Sequence, residues 1–152
     1  RPAGVKAVEF FYYTAGSGGI GATVLGATFL LLTQPALVLD APDARRVFRP
    51  ALSDPRRVSF GKFIEKGRAV YTGVLDLPEL HSVAAWLRPA ERAAARFATA
   101  PEFYTLGMRE MGRVGFVRRW LAVPRNAMAF ARLSMPFVRW TDGMSGARTA
   151  IK

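Results

Sequence analysis

The sequence feature that most constrains this chain is a run of thirty residues, 10–39, without one Lys, Arg, Asp, Glu or His. A helix of about 20 apolar residues crosses the ~30 Å hydrocarbon layer of a membrane. Four successive aromatic residues, 10–13, lie where interfacial rings are expected. Pro35 and the charges that begin at Asp40 mark the other end. The run therefore predicts one transmembrane helix within residues 10–39.

Small residues recur along this predicted helix at intervals of four. In lipid, where apolar burial gives no net driving force, such stripes let a second helix approach closely. The stripe predicts contact with a partner helix, and the alternative is a permissive helix that faces lipid. The residues assigned to the contact are Ala15, Gly18, Gly19, Ala22 and Gly26.

Residues 16–21, Gly-Ser-Gly-Gly-Ile-Gly, also satisfy the G-x-G-x-x-G pattern of dinucleotide-binding turns. Strand-like residues precede the turn, and Asp40 follows about twenty residues later, as a ribose-binding acid would. Residues 14–21 resemble the Thr-Gly-x-x-x-Gly-Ile-Gly segment of short-chain dehydrogenases, with Ala15 at the first glycine. The resemblance implies a Rossmann-type oxidoreductase fragment that binds NAD(P).

Two observations favour the membrane span over the nucleotide fold. No Tyr-x-x-x-Lys pair follows the glycine-rich segment, so the catalytic pair of that family is missing. Residues 21–34 carry no charge, whereas a dinucleotide-binding helix exposes one polar face to water.

The chain's charge lies outside the run. Of the formal net charge of +11, residues 1–39 hold only +1, from Arg1, Lys6 and Glu9. Arginines that follow the run place the C-terminal part on the matrix side by the positive-inside rule. The absence of cysteine and the single histidine, His81, exclude disulfides, thiolate metal sites and multi-histidine sites. We therefore expect no enzymatic activity, no cofactor and no metal site.

The expected fold class is mostly α, with one transmembrane helix. Residues 1–9 form a short lead-in, and residues 40–77 form an extended connector rich in Pro and Arg. Within the connector, residues 58–74 are compatible with helix or strand. Residues 78–152 are expected to form a basic region of short amphipathic helices.

Start signals divide this last region into four helices. Asp76, followed by Pro78 and Glu79, predicts a helix that runs to about residue 87. Pro89 predicts a second, turn-rich helix through residue 98. A capping box, Thr99 with Glu102, predicts a third helix over residues 101–123. Pro124 begins the fourth.

Between residues 111 and 141 there are six arginines and no acid, interleaved with aromatic residues. This pattern is compatible with a solvated basic face, with a helix on an anionic membrane surface, and with RNA binding. The expected contact is with lipid or a partner subunit, and nucleic acid is the less favoured partner. The residues assigned to it are Arg118, Arg119, Arg125, Arg132 and Arg139.

These patterns predict a structural accessory subunit of a multi-subunit membrane complex. The expected location is an organellar inner membrane, with the mitochondrial respiratory chain or ATP synthase favoured, and the expected partners are other subunits and anionic, cardiolipin-like lipids. Two alternatives stay open: an NAD(P)-binding oxidoreductase fragment that uses residues 16–21, and a basic organellar protein that binds ribosomes or RNA.

Overall fold

A computed structural model describes residues 6–15, 21–40, 45–60, 69–87 and 91–145. Six strands and five helices are formed by these residues. The strands are β1 (Ala7–Ala15), β2 (Ala36–Asp40), β3 (Arg45–Arg49), β4 (Arg56–Ser59), β5 (Ala69–Val74) and β6 (Arg92–Ala100). The helices are α1 (Ala22–Thr33), α2 (Pro78–Leu87), α3 (Glu102–Arg113), α4 (Gly115–Leu121) and α5 (Pro124–Ser145). Strands β2 to β5 come in succession before α2, and α3 to α5 come in succession after β6.

The six strands form one sheet with β6 at its centre. Along one edge, β6 pairs with β1 in parallel over its whole length, from Ala7↔Arg92 to Ala15↔Ala100. Along the other edge, two antiparallel strands share β6: β2 pairs with its first half and β5 with its second half. Antiparallel β3 and β4 extend the sheet beyond β2 and β5.

Both faces of β6 are covered, which explains its run of small side chains. On one face, Ala93 and Ala95 pack against Leu80 of α2. Successive side chains of a strand point to opposite faces, and Ala94 accordingly packs against Val38 and Val74 on the other face. The remaining helices form a layer with its own core, where Phe29, Met108, Leu121 and Ala131 meet.

The uncharged run is not one helix, because β1, α1 and β2 divide it. Helix α1 has 12 residues, or about 18 Å of rise, and Gln34 and Pro35 separate it from β2. Among the described residues, no helix combines the length and the apolar composition that a membrane crossing requires. The apolar residues are instead buried within the protein, Phe29 and Leu32 among the helices and Val38 in the sheet.

Several predictions are therefore wrong. They are the transmembrane helix at residues 10–39, the mostly α fold class, the single-pass location in an organellar inner membrane and the matrix-side C-terminal part. Without a membrane-spanning helix among the described residues, the description of the chain as a membrane protein is also unsupported. The physical reason is that short apolar strands and a buried helix, read in succession, have the same composition as one membrane span.

Strand β6 replaces the turn-rich helix expected from residue 89 to residue 98. The connector at 40–77 contains β3, β4 and β5. Residues 58–74, compatible in sequence with helix or strand, begin in β4 and end in β5. Residues 61–68 lie outside the described residues. The helix expected over 101–123 is divided into α3 and α4. The predicted helices that end near residue 87 and begin at Pro124 are present as α2 and α5.

The order β1, α1, β2 also matches the elements of a dinucleotide-binding unit, but the topology differs. Strand β1 runs parallel to β6 and β2 runs antiparallel to it, so β1 and β2 oppose each other across β6. A Rossmann βαβ unit requires two parallel strands. Within the glycine-rich segment, residues 16–20 lie outside the described residues, and Gly21 caps α1.

Candidate ligand-binding cavity

A cavity of about 370 Å³ lies between the helical layer and the C-terminal ends of β1 and β6. Phe29 of α1, Phe97 of β6, Met108 of α3 and Phe130 and Met135 of α5 contribute to its wall. Phe97 packs against the core of the helical layer, and the pleat of β6 places it on the same face as Thr99. The volume lies within the ~300–1,000 Å³ that small-molecule sites usually occupy.

The wall of this cavity is apolar and adaptable. Of the described residues that line it, none is Lys, Arg, Asp, Glu or His. Three of them are methionines, Met108, Met111 and Met135, whose unbranched side chains adjust to irregular shapes. A charged group buried here would find no opposite charge, so the wall favours an uncharged occupant.

Most hydroxyl groups in the wall already have partners. The hydroxyls of Thr28 and Ser134 donate to carbonyl oxygens one turn earlier in their own helices, at 3.0 and 2.8 Å. The Tyr104 hydroxyl is hydrogen-bonded to Thr141 of α5. These groups therefore contribute little polarity to the cavity.

Two threonines form the polar end of the cavity. Thr14 of β1 and Thr99 of β6 are register partners on neighbouring strands, and both line the cavity. The Thr99 hydroxyl makes a long, 3.4 Å hydrogen bond to the carbonyl of Ala100. Within the described part of the chain, the Thr14 hydroxyl has no hydrogen-bond partner. The pair can therefore donate to, or accept from, one polar group of a ligand.

Four aromatic side chains cluster beside α3 and the C-terminal half of α5. The Phe103 and Tyr104 rings lie 4.6 Å apart, and Phe137 lies 6.0 Å from Tyr104 and 5.9 Å from Trp140. Phe103, Tyr104 and Phe137 line the cavity, and Phe103 and Phe137 are also half exposed. The cluster thus connects the interior of the cavity to the protein surface.

The opposite face of β6 carries a buried ion-pair cluster. The Arg96 side chain is fully buried, with Nη2 2.7 Å from Asp54 Oδ2 and Nε 3.4 Å from Glu9 Oε1. Arg92 also contacts both acids, and Arg56 Nη1 lies 3.1 Å from Glu9 Oε2. Burial alone would raise the pKa of Asp54, but hydrogen bonds from Arg96 and Arg92, and then their charges, hold that pKa below its usual value. The cluster joins β1, β4 and β6 to the turn before β4, and we assign it a structural role.

The predicted helix-contact residues have different positions. Gly26 is buried where α1 contacts α5, and a Cβ there would lie 2.5 Å from Met128 Sδ. Ala22 packs against the core of the helical layer. Ala15 ends β1, and Gly18 and Gly19 lie outside the described residues. The observed partner of Gly26 is thus a helix of the same chain.

The predicted arginine contacts all lie at the surface of α4 and α5. Arg125, Arg132 and Arg139 follow one line along α5, and Arg118 and Arg119 are exposed on α4. None of the five has an ion pair with another described residue. The structure does not bring them to the apolar cavity, although Arg118 lines a second, more polar cavity with Arg49.

Sequence reasoning did not find the cavity or its threonine pair. Thr14 and Thr99 lie 85 positions apart, and the parallel register of β1 and β6 brings them together. Because the sequence predicts a helix over residues 89–98, strand β6 is missing from that prediction, and without β6 the cavity cannot be predicted. No family model matches the chain, and no curated protein is similar enough to count as a relative.

Proposed function

We propose that this protein binds an uncharged, mainly apolar small molecule that carries one hydrogen-bonding group. The observation that supports this function is the cavity of about 370 Å³, with its uncharged wall and the Thr14–Thr99 pair at one end. An apolar pocket with a few convergent polar groups is the usual form of a small-molecule site. The apolar part of the ligand lies among the methionine and phenylalanine side chains, and its polar group lies at the threonines.

Affinity for a homologous series should follow the apolar area removed from water. Each buried methylene contributes about 0.8 kcal/mol, or nearly fourfold in affinity. A neutral hydrogen bond contributes a further ~0.5–1.5 kcal/mol. Linear primary alcohols of increasing chain length are therefore suitable probes, because they vary the number of buried methylenes and keep the single hydrogen-bonding group constant.

The test is displacement of a neutral fluorescent probe, N-phenyl-1-naphthylamine, by these alcohols. We expect affinity to rise with chain length until the cavity is full. The variant Ser134→Phe places a large ring in the cavity and should weaken probe binding at least tenfold. Ala129→Phe is the matched control, because it puts the same ring on the exposed side of the same helix.

The threonine pair gives a second, independent measurement. Thr14→Val keeps the β-branched shape and removes the hydroxyl, so it should weaken 1-octanol binding about three- to tenfold and leave 1-octene binding unchanged. Equal binding by the wild-type chain and Ser134→Phe would contradict the proposed site. Equal effects of Thr14→Val on both ligands would contradict the proposed position of the polar group.

A further inference from the structure

Helix α5 presents a second, outward surface on which the Trp140–Phe137 ring contact, within α5 itself, is the one aromatic contact among the described residues. Its inner side packs on the core through Ala127, Ala131 and Met135. Successive residues of a helix are rotated by about 100°, so three rows run along the outer side. They are an arginine row (Arg125, Arg132, Arg139), a small-residue row (Ala129, Pro136) and an apolar row (Leu133, Trp140). We call these three rows the outer face of α5.

The outer face has the spacing of one side of a coiled coil. Each row repeats every seven residues, and the small-residue row lies between the other two. Leu133 and Trp140 are 78% and 63% exposed and lie in one row beside the arginines, and apolar surface rimmed by polar residues is typical of interaction sites. Ala129 and Pro136 leave room for another backbone to approach along the middle row. In heptad terms, Leu133 and Trp140 are at position a, Ala129 and Pro136 are at d, and the arginines are at g.

The charge of this face defines the chemistry of what can cover it. At g positions, arginine selects a partner helix with acidic residues opposite. No acid occurs between residues 111 and 141, and the three arginines have no ion pair with a described residue. Within the described part of the chain, no charge therefore neutralises this face.

A second copy of the chain does not supply the missing charge. In an antiparallel pair of outer faces, arginines would face arginines, and in a parallel pair they would face positions e, which are Phe130 and Phe137. Side chains that repeat every seven residues along α5 can pair with side chains repeating at the same interval on another helix. Lipid headgroups and flexible nucleic acids do not present groups at such a fixed spacing. We infer that the outer face of α5 binds an acidic, amphipathic α-helix of another protein.

The test uses a fluorescent peptide of about 21 residues, with Leu at positions a and d and Glu at e and g. A second peptide carries Lys in place of every Glu. Fluorescence anisotropy should show that the glutamate peptide binds the full chain at least tenfold more tightly than the lysine peptide. The triple variant R125Q/R132Q/R139Q should weaken glutamate-peptide binding about tenfold or more. Leu133→Gln should also weaken it, since this exposed side chain contributes to the apolar row.

The matched control removes the same charge elsewhere. Lys6, Arg46 and Arg57 are exposed on β1, β3 and β4 or at their ends, so K6Q/R46Q/R57Q keeps the outer face and should retain peptide affinity within about twofold. Similar weakening by both triple variants would overturn the inference, because it would reduce binding to net charge. Equal affinity for the two peptides would also overturn it. So would binding of phosphatidylserine vesicles or single-stranded RNA that depends on the three arginines while the glutamate peptide does not bind. None of these results depends on occupancy of the cavity.

Discussion

Asp54 has an uncommon backbone conformation that the surrounding residues maintain. Its φ is 49°, and that of Leu52 in the same turn is 56°. The turn pairs with β5 through hydrogen bonds from Leu52 N to Val74 O and from Val74 N to Ser53 O. A Cβ on Gly73 of β5 would lie 2.5 Å from the Leu52 backbone, so only glycine permits this approach. The turn thereby holds the Asp54 carboxylate against Arg92 and Arg96.

The variant Asp54→Asn isolates the charge of that carboxylate, because asparagine also tolerates a left-handed φ. At pH 7 we expect it to lower the free energy of unfolding by about 1.5–3 kcal/mol, the usual size of a hydrogen bond to a charged group. The pKa of Asp54 is lower in the folded state than its unfolded-state pKa of about 3.9. The charged carboxylate therefore stabilises the fold fully above the unfolded-state pKa, and this stabilisation is lost as the pH falls through the folded-state pKa. The difference between variant and wild type should therefore shrink below about pH 4.

Urea denaturation followed by circular dichroism at pH 7 and pH 3 measures this difference. Asp76→Asn is the control, since the Asp76–His81 contact of 2.9 Å is partly exposed and such pairs contribute about 0–1 kcal/mol. A difference between Asp54→Asn and wild type that stays constant from pH 7 to pH 3 would show that the Asp54 charge is not its source.

At the scale of elements, the contact between α1 and α5 holds the helical layer together. Gly26 makes room for the Met128 side chain of α5, and the Phe29 ring of α1 lies 4.9 Å from the Phe130 ring. We expect Gly26→Leu to destabilise the protein by about 1–3 kcal/mol, as overpacked cores do. Gly115→Leu is the matched control, because a Cβ at that position would have no atom within 4 Å. Thermal unfolding compares the two, and equal midpoints would contradict a close helix contact at Gly26.

The elements also differ in how well the sequence predicts them. Helices α2 and α5 have local start signals at Pro78 and Pro124, and those signals were sufficient. Strand β6 has none, because its alanines favour helix and only pairing with β1, β2 and β5 makes it a strand. The expected capping box failed for a related reason: Glu102 accepts a hydrogen bond from the Tyr71 N–H of β5 instead of capping α3. Interactions between distant segments decided these cases, as they did for the cavity and the ion-pair cluster.

At the scale of the whole molecule, the cavity lies where the two layers meet. Its wall includes α1, α3 and α5 of the helical layer together with the ends of β1 and β6. The core cluster around Phe29 extends from these helices to Leu52 and Leu75, beside the sheet. A ligand in the cavity therefore contacts both layers, and its binding energy stabilises their association.

Ligand binding should accordingly raise the stability of the entire fold. At a concentration of 100 times Kd, a ligand that binds only the folded state adds about 2.7 kcal/mol. For a chain of this size, that corresponds to a rise in Tm of roughly 5–10 °C. With the tightest-binding alcohol, we expect far-ultraviolet circular dichroism and tryptophan fluorescence to report the same shift, because both layers unfold together. Ser134→Phe should lose the shift and Ala129→Phe should keep it. A shift seen by only one of the two probes would show that the ligand stabilises one layer without the other.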